Sequence, residues 1–134
     1  MQAADLLVSP ANFSEGADLP LIEEIAARGS QSCRLLDIHA DPDHNRSVIT
    51  FAGPPGDLAD GLFAAAATAV DLIDISAHSG VHPRLGSVDV APFVPYADTP
   101  MAVAVGAAVP FARRLVDDLG LPCFLYGAAG SCTL

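Results

Sequence analysis

The sequence predicts an α+β fold: a ferredoxin-like βαββαβ sheet with helices on one face, plus an extra C-terminal αβ. Three observations carry this prediction. Apolar and β-branched runs of strand length recur along the chain. Two long alanine-rich stretches repeat their larger apolar residues at helical spacing. Two of the strand-like runs are separated only by a short polar loop, as a hairpin requires. Strands separated by helices around one central hairpin make the split βαβ arrangement. Helices then cover one sheet face and leave the other open, and in a chain that is 51% hydrophobic an open face reads as a partner surface.

Leu6-Leu7-Val8 reads as the first strand, ended by Ser9-Pro10, and "ANFSEGAD" as a polar loop. Asp18 caps the following helix, Pro20 is tolerated in its first turn, and Ile22, Ile25 and Ala26 mark its buried side. Gly29 is a stop signal. Residues 33–38 form a second strand, "HADPDHN" a loop of turn formers, and "SVITF" (47–51) a β-branched third strand. After "GPPG", Asp57 caps the clearest helix, residues 58–73, with Leu58, Leu62, Ala65, Ala69, Leu72 and Ile73 as its stripe. Residues 88–94 make the next strand. A second alanine-rich helix covers 101–119, with Met101, Val105, Ala108, Ala112, Leu115 and Leu119 on one side. Pro110 inside it predicts a kink, and Gly120 closes it. Pro122 precedes a last strand, 123–126, and the tail "GAAGSCTL" carries no structural signal. With no repeat and no linker, residues 1–134 read as a single domain.

Composition excludes several classes of function. Sixteen acidic residues stand against six basic ones, and the net charge of −10 argues against nucleic acid and anionic membranes as partners. It leaves room for small anionic ligands, which need only one or two placed arginines. No apolar run reaches the ~20 residues of a membrane helix. Asp5 and the lack of a basic leader argue against a signal peptide, so the chain reads as cytoplasmic. Cys33, Cys123 and Cys132 make an odd count without CxxC spacing, which predicts free thiols and neither a disulfide frame nor a zinc site.

The stretch "SGVHPRLGSVDVAPFVP" places an ionisable ring and a guanidinium around a rigid turn at the mouth of a strand. His82 precedes a proline, which pushes it into an extended conformation, and flanking glycines allow close approach of a ligand. Two readings follow: a general base working near neutral pH, or a histidine that bonds a carbonyl and seals a loop. "DIHADPDHNRS" offers His39, Asp41, Asp43 and His44 as metal ligands, but the spacing fits no strong template, and a solvated acidic hairpin loop is the preferred reading. No metal is expected. Arg46 and Arg84 each open a strand and fit either a structural ion pair or an anchor for an anionic ligand. Ser14-Glu15-Gly16 reads equally as a capping loop. There is no phosphate loop and no nucleophile elbow.

In order along the chain stand "NFSEG" (Asn12 to Gly16), "LLD", "NRSVITFAG" (from Asn45), "LID", "HSGVHPRLGSVDVAPFVP" and "RRLVDDLGLPCFLYG". Together they resemble the N-terminal subdomain of the glutamate formiminotransferase family, the folate-dependent transferases related to formiminotransferase-cyclodeaminase. The resemblance implies transfer of a formimino (or formyl) group from N-formimino-L-glutamate to N5 of tetrahydrofolate, a step of histidine metabolism and one-carbon metabolism. It implies His82 as catalytic base, tetrahydrofolate as co-substrate, and Asn12, Ser14, Glu15, Gly16, His39, Asn45, Arg46 and Arg84 as substrate-binding residues. Formiminoglutamate and folate are the implied partners. The family has a substrate tunnel between two subdomains, so with the second subdomain absent, a homo-oligomer or a separately encoded second subdomain is implied. Three positions depart from the family pattern: His39 where Asp is usual, and Val81 and Ala128 where Glu is usual. These departures keep a second reading open, a non-catalytic binding or interaction module on the same fold.

Overall fold

The computed structural model describes residues 5–73, 88–121, 124–126 and 131–133. Ten elements follow in order: β1 (Leu7–Phe13), α1 (Leu19–Gly29), β2 (Arg34–Asp41), β3 (Arg46–Gly53), α2 (Pro55–Leu72), β4 (Val88–Val90), β5 (Val94–Pro95), α3 (Met101–Leu119), β6 (Phe124–Tyr126) and β7 (Ser131–Thr133). The sheet order is β2-β3-β1-β4-β7-β6, with β5 also beside β1, and every pairing is antiparallel. The β2-β3-β1-β4 portion is the ferredoxin-like arrangement, and α3, β6 and β7 extend it.

Alternation fixes which face is covered. Along β1, Leu7, Ser9, Ala11 and Phe13 are buried, while Val8, Pro10 and Asn12 are only partly so. The buried set meets Ile22, Ile25, Leu58, Leu62, Phe51 and Ile49 in one core that continues to Phe111 and Leu115 of α3. Each fully buried Phe, Leu or Ile contributes about 1.5–3 kcal/mol. Helices α1, α2 and α3 lie side by side on this face, and the opposite face carries none of them.

Several elements differ from the sequence expectation, for identifiable reasons. β1 does not stop at Pro10 but runs to Phe13, so Asn12 and Phe13 belong to the strand and not to a loop. Pro10 is tolerated because the second neighbour of β1 is interrupted there: β5 pairs at Leu7 and Val8, β4 at Asn12 and Phe13. The expected strand 88–94 is accordingly two short strands. β2 extends to Asp41, which draws His39 out of the loop and into the sheet, and it bulges at Leu36.

Asp18 does cap α1, its Oδ1 accepting from the Leu21 N–H at 3.1 Å. Gly29 is the last residue of that helix, and packing explains it: a Cβ there would lie 2.5 Å from the Phe51 ring. The cap of α2 is Pro54, not Asp57, because prolines suit a helix start and Asp57 then falls in the first turn, where its charge opposes the helix dipole. Leu72 and Met101, expected in the buried stripes, are exposed, whereas Ala66 and Phe111 are buried. α3 runs through Pro110 as one helix and ends at Gly120, whose φ of 67° is left-handed. The tail expected to lack structure supplies β7, which bridges β4 and β6. Among the described residues, no helix is long and apolar enough to cross a membrane.

Candidate functional site

The open sheet face is built from the residues that alternate away from the core. Asn12 pairs with Val48, and Val48 pairs on its other side with His39, so these three form one row across β1, β3 and β2. At the usual strand spacing, Asn12 and His39 are roughly 10 Å apart, within reach of one ligand. The next row is Pro10, Thr50 and Asp37, and the one beyond it is Val8, Ala52 and Arg34. Asp37 did not stand out in the sequence. The period of two that places His39 and Asp41 outward puts Asp37 there as well, giving this face a carboxylate one row from His39.

One end of this face is closed by the loop after β1. Ser14 is fully buried there. Glu15 turns inward on its own backbone, its Oε2 accepting from the N–H groups of Ala17 at 3.0 Å and Asp18 at 3.1 Å. Gly16 donates its N–H to Asn45 Oδ1 at 2.9 Å. A Cβ at Gly16 would collide with the Asp41 carbonyl and the Arg46 backbone, so only glycine lets the loop lie against the end of the hairpin. Asn45 itself has a left-handed φ of 49°, a conformation asparagine tolerates better than most residues.

The hairpin end is tied by Asp41. Its Oδ1 accepts from the Asp43 and His44 N–H groups at 3.1 and 3.3 Å, and its Oδ2 pairs with His44 Nδ1 at 2.7 Å. The hydrogen bond from His44 is the main reason the Asp41 carboxyl is held below its ordinary range. Among the described residues no three His, Cys, Asp or Glu side chains converge as metal ligands. Arg46 faces Asp41 across the ladder at the rim of the open face and makes no ion pair among the described residues. His39 is exposed. Asn12 bonds the Pro10 carbonyl through Nδ2 at 3.2 Å.

The fold thus gathers Asn12, Gly16, His39, Asn45 and Arg46 at one end of the open face, although they come from three separate stretches of sequence. Ser14 is buried in the loop beside them, and the Glu15 carboxylate accepts from two backbone N–H groups of that loop. His82 and Arg84, with Val81 and Ala128, lie outside the described residues. So do Cys123 and the side chain of Cys132. Cys33 is a free, half-buried thiol that burial, helped by the negative charge of Asp57, pushes from 9.0 up to about 11.

The chain matches the formiminotransferase domain, N-terminal subdomain, over residues 6–133. It is 44% identical over 120 residues to the formimidoyltransferase-cyclodeaminase of Sus scrofa, covering 88% of this chain and 22% of that protein. It is 42% identical over 120 residues to the glutamate formimidoyltransferase of Thermoplasma acidophilum, covering 88% of this chain and 40% of that protein. To the glutamate formimidoyltransferase of Streptococcus pyogenes serotype M1 it is 38% identical over 117 residues, 86% of this chain and 39% of that protein. It therefore spans about a fifth of the length of the first of these and about two fifths of the other two. Since the match runs from before β1 through β7, the chain belongs to the formiminotransferase N-terminal subdomain family.

Proposed function

We propose that this subdomain forms one wall of an active site that transfers a formimino group from N-formimino-L-glutamate to N5 of tetrahydrofolate. The observation that carries this reading is the family match over residues 6–133, together with the gathering of Asn12, His39 and Arg46 on the sheet face opposite α1, α2 and α3. The opposite wall comes from a second subdomain or a second copy of this one, whichever polypeptide carries it.

His82 is the base in this proposal. N5 of tetrahydrofolate attacks the amidine carbon, a C–N bond forms, and His82 takes the N5 proton. The bond from that carbon to the glutamate nitrogen then breaks, and the same proton returns to the departing nitrogen. No electrons are gained or lost overall. Both substrates carry carboxylates, which suits Arg46 at the rim and Arg84, two residues after His82 in the sequence. Asp37 and Asn12 offer an acceptor and a donor to the amidine and the pterin. The charge balance and the absence of cysteine spacing fit a cytoplasmic enzyme.

The departures at His39, Val81 and Ala128 favour a second reading, a binding module without turnover. One experiment decides between the two. The protein is incubated with formiminoglutamate and tetrahydrofolate, alone and with a second subdomain from a relative. The transferase reading expects 5-formimino-tetrahydrofolate, abolished by His82→Ala. Absence of product in both mixtures would overturn it, and retained calorimetric binding of tetrahydrofolate would then favour the module.

A further inference from the structure

We infer that Asn45 is a positioning residue, not a substrate ligand: it latches the rim loop at residues 14–16 onto the β2–β3 turn. Three observations support this. The Asn45 side-chain oxygen is taken up by the Gly16 N–H at 2.9 Å, a bond that spans 29 residues of sequence. Asn45 is held in a left-handed conformation, φ 49°, with its own N–H on the Pro42 carbonyl at 3.3 Å, so the turn aims the amide at the loop. Gly16 has no room for a Cβ against Asp41 and Arg46, so the loop seats on the hairpin backbone itself.

The consequence runs to both sides of the site. Asn12 ends the open-face portion of β1, four residues before the latch, and Arg46 follows Asn45 directly. The β1–β3 ladder already fixes Asn12 against Arg46, so this one hydrogen bond acts on what lies beside them at the rim, the loop at residues 14–16. A substrate at this end of the face meets a fixed rim loop instead of a hinged one, which lowers the ordering cost of binding. That last step rests on the proposed transferase reading; the latch does not.

The test uses the full chain with three substitutions. Asn45→Gly keeps the left-handed turn and removes the acceptor. Asn45→Ala removes the acceptor and disfavours the turn. Asn45→Asp keeps both. Amide hydrogen exchange at Gly16 is expected to quicken about fivefold in Asn45→Gly, the worth of one net hydrogen bond, and further in Asn45→Ala. Asn45→Asp should restore protection. In the formimino-transfer assay the Gly and Ala variants should raise KM for formiminoglutamate with kcat retained, and Asp should rescue it. Unchanged exchange at Gly16 in Asn45→Gly and Asn45→Ala would overturn the latch. Faster exchange with an unchanged KM, or a fall in kcat alone, would overturn the positioning role. If the wild type does not turn over, exchange still decides the latch while the transferase reading fails on its own test.

Discussion

Two glycine-to-alanine substitutions should act with opposite sign, and the difference isolates a single helix contact. In a helix interior, alanine gains about 0.5–1 kcal/mol over glycine. Gly106 lies on α3, and a Cβ there would find nothing within 4 Å, so Gly106→Ala should collect that gain. Gly61 lies on α2 where it meets α1: a Cβ would sit 2.7 Å from the Gly29 carbonyl oxygen and against the Cys33 sulfur. A backbone oxygen cannot rotate away, so the helices must part, at an overpacking cost of about 1–3 kcal/mol. The propensity gain is common to both variants and cancels in their difference. The two should therefore differ by about 2 kcal/mol, or roughly 6–12 °C in Tm for a domain of this size. Differential scanning calorimetry of both proteins at one pH reads this directly. Equal Tm values, or a Gly61→Ala protein more stable than wild type, would refute the close α1–α2 approach.

Further outcomes follow from the same structure. Gly16→Ala should destabilise more than Gly61→Ala, since backbone oxygen and nitrogen atoms of Asp41 and Arg46 both stand in the way, and chemical denaturation of the two variants compares them. Cys33 holds its proton more tightly folded than unfolded, so its contribution is complete below pH 9.0 and is lost as pH rises toward about 11; Tm should fall across that window, and less steeply in Cys33→Ala. Asp41 is shifted the other way, so its contribution is present above its ordinary range and is lost as pH falls through the lowered value. Carbon-detected NMR titration should show Asp41 protonating below 3.8, and His44→Ala should move it upward.

Much of this fold is written locally. The Asp18 cap, the Gly120 stop, the hairpin and the two alanine-rich helices all follow from residues near one another in sequence. What the sequence hides is set by distant pairing. Pro10 reads as a strand end until the break between β4 and β5 is known, and Ser131–Thr133 becomes a strand only because β4 and β6 lie on either side of it. For the site, the residue types were legible, but their division of labour was not. The bond that joins Asn45 to Gly16 crosses 29 positions, and the two backbone N–H groups held by the Glu15 carboxylate are not visible in residue type alone. Asp37 escapes notice because the strand is expected to end at residue 38, before the outward alternation becomes visible.

The central claim is that substrate meets the open face of the sheet. The most direct measurement is the set of backbone amide NMR shifts when the protein is titrated with tetrahydrofolate. Shifts are predicted to cluster at Asn12, Gly16, Asp37, His39, Arg46 and Val48, with Ala59 and Ala107 between α2 and α3 unmoved. Shifts confined to the helical face, or none on the open face at saturation, would contradict it.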